Sequence, residues 1–239
     1  MNDPRLYAIL DLGYTPESRA EEVTTALLAG GADLLQLRAK GHDLVTIRRV
    51  AEKLIPLCRA AGIPFILNDH PALAAEIGAD GVHIGQDDGT LSDARAAIET
   101  DRGIHSGLHS FIHSSSSIQD SSSSPFLFGR STHSLAQARA ALAEGFDYIG
   151  FGPLFPTPTK AGRPAIGIAE VAAMQREVGE KIPAFCIGGI KRSNLAAVLE
   201  TGARRVVIVS DLLSAENVQA ATAEVKSTLS STSSVHFPT

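Results

Sequence analysis

The sequence predicts a single α/β domain of the (β/α)8 TIM-barrel class, and three observations predict it. Short apolar runs alternate with longer amphipathic ones along the chain, the pattern of parallel strands joined by crossover helices. Eight such units can be laid out in 239 residues, close to the ~250 typical of such a barrel. Several helical runs also end alike, at Gly30-Gly31-Ala32-Asp33, Gly78-Ala79-Asp80, Gly145-Phe146-Asp147 and Gly202-Ala203-Arg204, so one α-to-β device recurs. An open doubly wound sheet would alternate too, but no dinucleotide glycine fingerprint follows the first strand.

Taken in order, the strands are expected at Leu6–Asp11, Leu34–Leu37, Phe65–Leu67, Gly81–Ile84, Phe126–Phe128, Tyr148–Phe151, Ala184–Ile187 and Val206–Val209. Each is a short run rich in aliphatic and aromatic residues. The helices that follow them are expected at about Ser18–Ala29, Leu44–Ala61, Pro71–Ile77, Leu91–Ile98, Leu135–Glu144, Ile168–Val178, Ser193–Glu200 and Ala215–Thr228. Two stretches break the rhythm. Residues 101–125, carrying Ser114 to Ser117 and Ser121 to Ser124, read as a low-complexity surface loop inserted between the fourth helix and fifth strand. His105, His109 and His113 fall four apart there and could line one helix face as metal ligands, but the surrounding composition favours a solvated loop. Residues 227–239 read as a disordered Ser/Thr-rich tail, which leaves 1–226 as the catalytic barrel.

A net charge of −5 and a pI near 5.9 argue against nucleic acid or an anionic membrane as the main partner. Any anionic ligand must therefore meet a local concentration of positive groups. Cys58 and Cys186 sit in apolar contexts and read as buried thiols. The N-terminus lacks the basic and apolar regions of a signal peptide, and no apolar run reaches the ~20 residues of a membrane span, so a cytoplasmic protein is expected. The sequence leaves oligomeric state open, and a homo-oligomer is compatible with it.

In this fold the chemistry sits at the carboxyl ends of the strands and in the β-to-α loops. The second strand ends in Gln36-Leu37-Arg38-Ala39-Lys40, where a period of two puts an amide and two cations on one face. Two neighbouring cations repel unless an anion lies between them, so a diphosphate suits them; a solvated basic edge is the plainer reading. Asn68-Asp69 ends the third strand and Gly85-Gln86-Asp87-Asp88 follows the fourth, giving carboxylates on adjacent strands that can hold Mg²⁺. Asp69 and Asp88 could instead cap the helices that follow. The fifth strand leads into Arg130-Ser131-Thr132-His133-Ser134, which has no nucleophile-elbow pattern; a hydroxyl here can bond phosphate or cap a helix, and His133 is either an acid/base group or a packing residue. After the sixth strand, three prolines stiffen Pro153-Leu154-Phe155-Pro156-Thr157-Pro158, and Thr159 and Lys160 follow at the end of the loop. Gly188-Gly189 after the seventh strand, with Ser210 after the eighth, occupies the usual monophosphate position of the fold.

These motifs, in this order and on these strands, resemble the thiamine phosphate synthase (thiamine-phosphate pyrophosphorylase) family over essentially the whole chain outside the Ser-rich segment and tail. The resemblance implies a transferase of thiamine biosynthesis that joins a pyrimidine methyl diphosphate to a thiazole ethyl phosphate and releases diphosphate. It implies that Gln36, Arg38, Lys40, Asn68, Ser131 and Lys160 hold the pyrimidine diphosphate, with Arg38, Ser131 and Lys160 closest to the chemistry. Asp69 and Asp88 would bind Mg²⁺, and Thr157, Thr159, Gly189, Val209 and Ser210 would hold the thiazole phosphate. The expected mechanism is a Mg-assisted dissociative substitution without a protein nucleophile. Residues 129–134 are also similar to the related thiazole tautomerases, in which His133 would be the acid/base group. A non-catalytic barrel binding thiamine phosphates is the third reading.

Overall fold

Eight short strands pair in parallel, each with its successor, and the eighth returns to the first. The computed structural model describes residues 3–109, 125–157 and 164–231. The strands are β1 (Leu6–Asp11), β2 (Leu34–Arg38), β3 (Phe65–Asn68), β4 (Gly81–Ile84), β5 (Leu127–Thr132), β6 (Tyr148–Phe151), β7 (Ala184–Cys186) and β8 (Val206–Ile208). Around them lie α1 (Ala20–Ala29), α2 (Leu44–Ala61), α3 (Pro71–Glu76), α4 (Leu91–His109), α5 (Leu135–Glu144), α6 (Val171–Met174), α7 (Leu195–Glu200), α8 (Ser210–Leu213) and α9 (Val218–Ser231). This is the closed barrel that the sequence predicts.

The two-residue period of the strands sorts their side chains into two cores. In β1, Leu6, Ala8 and Leu10 face the helices, while Tyr7 and Ile9 belong to the barrel interior with Leu34, Ile66, Tyr148, Phe185 and Val207. The rings of Tyr7, Tyr148 and Phe185 meet edge to face with centroids 5.2 to 6.1 Å apart. Gly129 makes room for this group: a Cβ there would lie 2.1 Å from Cζ of Tyr148.

The recurring helix endings have a common structure. Gly31, Gly78, Gly145 and Gly202 all adopt positive φ, between 70° and 95°, and turn the chain out of its helix. Three of the four are followed two residues later by an aspartate that staples the bottom of the barrel. The amide of Asp33, Asp80 or Asp147 donates to the carbonyl of Leu6, Phe65 or Phe128. The carboxylate of the same aspartate accepts from the N–H of Leu6, Phe65 or Phe128 at 2.8 to 2.9 Å. Each staple satisfies a backbone donor in the first two residues of a strand that would otherwise lose its partner on burial. At the fourth ending Arg204 stands where the aspartate would be.

Several element boundaries differ from expectation. α4 continues through His109, into what the composition suggested was loop; Ile104 and Leu108 stand four apart and the serine run starts only at Ser114. Residues 110–124 of the Ser-rich segment, with His113, lie outside the described residues, as do 232–239. α9 runs through Ser231, five residues into the expected tail, because Val218, Ala221, Val225 and Leu229 present one apolar face to the barrel. The sixth helix narrows to α6 and then a π-helical turn at Gln175–Gly179.

Among the described residues no helix is long and apolar enough to cross a membrane. Cys58 and Cys186 are unpaired and buried, and burial pushes both thiols up to about 12. Neither cysteine should therefore react with a thiol alkylator in the native protein at pH 8, and both should react after denaturation; mass spectrometry of the adducts checks this. Replacing Asp80 by alanine orphans the Phe65 N–H and should cost about 1–3 kcal/mol, read from the urea midpoint, with activity per folded molecule retained.

Candidate functional site

The upper ends of the strands surround one deep pocket. Gln36, Arg38, Asn68, Ser131, Thr157, Gly189, Val209 and Ser210, all candidates from the sequence, line it together. Lys40, Asp69 and Asp88 line an adjoining pocket, and Asn68 belongs to both. Thr159 and Lys160 lie outside the described residues.

The pocket floor is the top of the aromatic interior. Gln36, almost wholly buried, donates through Nε2 to the Tyr7 hydroxyl, which lies 3.0 Å from the Tyr148 hydroxyl. Burial drives both tyrosines well above the ordinary phenol range, so both stay protonated and act only as hydrogen-bonding groups. Beside them Nε2 of His83 sits 3.0 Å from Oγ of Ser131. β5 extends to Thr132, four residues beyond its expected end, so Ser131 is a strand residue facing inward and not a loop residue.

The cations on the second strand are arranged differently from the expectation that they share one face. β2 ends at Arg38, and the chain turns at Ala39-Lys40-Gly41, so the alternation that would align Lys40 with Gln36 and Arg38 stops. Each cation instead has its own carboxylate: Arg38 Nη1 pairs with Asp11, and Lys40 Nζ pairs with Asp69. Their mutual repulsion is relieved inside the protein before any ligand arrives.

Asp69 is also not a helix cap. Residue His70 holds the N-cap position of α3 with no side-chain bond, and Asp69 and His70 both adopt left-handed backbone, at φ 60° and 54°. Such conformations are costly outside glycine and persist where neighbours fix them. Here the Asp69 N–H donates to the His83 carbonyl at 2.9 Å, and the Asn68 amide bridges the same carbonyl and Asp69 Oδ1, at 3.1 and 2.9 Å. Asp88 closes its own loop by accepting from the Gly85 N–H at 2.7 Å. The two carboxyls are within hydrogen-bonding reach of each other. Burial and the nearby Asp88 charge hold the Asp69 carboxyl above the ordinary carboxylate range, against the pull of Lys40. Burial also acts on Asp88, but the Gly85 N–H, the bond to Asp69 and the charges of Lys40 and Arg130 outweigh it and hold that carboxyl low.

Opposite this acidic pair, the loops after β6 and β7 are laced together. Leu154 and Phe155 donate to the carbonyls of Ile187 and Gly188 at 2.8 and 3.0 Å. A Cβ on Gly188 would meet Pro153 at 2.3 Å and one on Gly189 would meet Phe155 at 2.7 Å, and both residues have positive φ. The peptide bond Gly152-Pro153 is cis. Ser134 caps α5 by accepting from Gln137 N–H at 3.2 Å, while His133 turns toward the pocket with Nδ1 on the Gly152 carbonyl. A carbonyl only accepts, so Nδ1 carries a proton.

Sequence reading passed over Asp11, Tyr7 and His83. All three are inward members of apolar strands, and a signal existed: each breaks an aliphatic run at the period-two position that faces the interior.

The family model described as thiamine monophosphate synthase matches residues 6–121 and 116–212. A thiamine-phosphate synthase of Thermus thermophilus is 41% identical over 219 residues, covering 91% of this chain and 93% of that one. The thiamine-phosphate synthase of Shouchella clausii is 36% identical over 219 residues, covering 91% and 92%. Among solved structures, thiamine phosphate pyrophosphorylase from Pyrococcus furiosus superposes with a TM-score of 0.74 at 28% identity, covering 97% of this chain and 98% of that one. With the family model spanning most of the barrel and relatives this similar over nine-tenths of its length, the chain belongs to the thiamine monophosphate synthase family.

Proposed function

We propose that the chain is a thiamine phosphate synthase, a transferase that condenses 4-amino-2-methyl-5-(diphosphooxymethyl)pyrimidine with thiazole phosphate to give thiamine phosphate and diphosphate. The observation that carries this reading is the division of a single catalytic face. Gln36, Arg38, Asn68 and Ser131 meet on one side of the pocket beside the Asp69–Asp88 pair, while Gly189, Val209 and Ser210 form the other side with Thr157. One side suits a diphosphate with a divalent metal, and the other suits a monophosphate held by backbone and hydroxyl groups.

Mg²⁺ fits the acidic pair. Two adjacent carboxylates, one of them pushed up by burial and by the charge of the other, form a site that gains from a cation, and Mg²⁺ prefers a few carboxylate oxygens completed by water and phosphate. Among the described residues no third His, Cys, Asp or Glu joins a metal-binding group with them. When bound, Mg²⁺ would neutralise charge on the departing diphosphate. The protein's own groups do the rest. Arg38, Lys40 and Lys160 hold the diphosphate oxygens as the carbon–oxygen bond breaks and its electron pair leaves with them. Gln36 and Asn68 fix the aminopyrimidine, Ser131 orients the leaving group, and Thr157, Thr159, Gly189, Val209 and Ser210 hold the thiazole phosphate so that the ring nitrogen faces the cationic methylene carbon. Catalysis is then positional and electrostatic. The same reading carries two small phosphorylated substrates as partners and a cytoplasmic setting.

Incubating the protein with both substrates, with and without Mg²⁺, tests the reading: metal-dependent release of diphosphate is expected. Isomerisation of a thiazole carboxylate phosphate alone would point to the tautomerase, and binding without turnover to a non-catalytic barrel. Lys160→Ala and Asp69→Ala should each lower kcat by about 100-fold or more, and near-normal turnover in both would sink the assignment. Gly189→Ala, which forces a side chain onto Phe155 at a left-handed position, should raise KM for the thiazole phosphate by about 10-fold or more with KM for the pyrimidine diphosphate little changed.

A further inference from the structure

We infer that Asp11 is a positioning residue for the diphosphate site, acting through Arg38: its buried carboxylate holds the guanidinium in the orientation from which it meets the anion. The inference rests on the synthase reading for the identity of the anion but on the geometry for the role.

Asp11 ends β1 directly opposite Arg38, which ends β2; the two are register partners in the parallel pair. The Asp11 residue is 2% exposed and does not line the pocket, whereas Arg38 does. Asp11 therefore has no path to a ligand except through its neighbour. Both carboxylate oxygens are committed: Oδ2 accepts from Arg38 Nη1, and Oδ1 accepts from the Gly13 N–H at 2.9 Å. That second bond is set by the turn that follows β1, in which Tyr14 and Thr15 both donate to the Asp11 carbonyl at 2.9 and 3.0 Å. The backbone adds a further tie, from the Leu12 N–H to the Arg38 carbonyl at 2.9 Å. The chain of constraint thus runs from a rigid turn, through a carboxylate, to a guanidinium at the pocket wall.

Two consequences follow from the chemistry of the pair. A guanidinium presents its five donors in a fixed planar fork, so anchoring one nitrogen fixes the direction of the rest. An arginine otherwise has extensive rotamer freedom to lose on binding, and a preformed anchor removes that loss from the binding step. The pair is also neutral as a unit, so what Arg38 itself offers the anion is directed hydrogen bonds more than net positive charge. Conversely, an Asp11 carboxylate deprived of Arg38 would be a buried, unpaired anion beside the diphosphate site, which is unfavourable in itself and repels the ligand.

This predicts a reversal of sign that a purely structural role does not produce. In the otherwise unaltered protein, Asp11→Ala should lower kcat/KM for the pyrimidine diphosphate by about 10- to 100-fold while KM for the thiazole phosphate stays within about twofold. In an Arg38→Ala background the same Asp11→Ala change should raise kcat/KM, because it removes the stranded carboxylate. Asp11→Asn, which keeps an oxygen acceptor of the same shape, should fall between wild type and alanine and carries the same cycle should the alanine variant not fold. Calorimetric titration of the four proteins with inorganic diphosphate and Mg²⁺ should follow the same pattern, and it tests Asp11 even if the wild-type chain shows no synthase turnover, an outcome that would overturn the proposed activity alone. Losses that simply add in the double variant, or wild-type behaviour of both Asp11 variants, would overturn the inference.

Discussion

The closure of the sheet, in which β8 pairs back onto β1, is the constraint on which every other feature of this molecule depends. A closed ring leaves each strand residue only two directions, inward or toward the helices, and a register once set propagates around all eight strands. The register that packs Tyr7, Ile66, Tyr148 and Phe185 below therefore also decides that Gln36, Arg38 and Ser131 point inward above. The aspartate staples at the bottom and the polar pairs at the top are two ends of one alignment.

Much of the barrel could be read from the chain, for a physical reason. The recurring Gly-x-Asp endings are local: a left-handed glycine and a carboxylate that reaches one strand away leave a trace within a few consecutive residues. The loop glycines at 188 and 189 are visible for the same reason, since close backbone approach excludes any side chain. Site candidates at strand ends were likewise accessible, because a polar residue after an apolar strand stands out.

What the chain hid is pairwise. Whether Lys40 lies beside Arg38 depends on where β2 stops, and a strand end is a tertiary decision made by its neighbours. Asp69 looked as suitable for a helix cap as for a metal site, and only its left-handed backbone, held by the His83 carbonyl, separates the two. Asp11 read as the last residue of an apolar strand; its meaning appears only when β1 and β2 are laid side by side. The relevant information was present in the alternation of Tyr7, Ile9 and Asp11, but it identifies a direction and not a partner.

The aromatic interior has a consequence for traffic. Tyr7, Tyr148 and Phe185, with Leu34, Ile66 and Val207, are each 3% exposed or less, so the barrel is stoppered from beneath. Whatever reaches the pocket floor enters and departs through the same upper mouth.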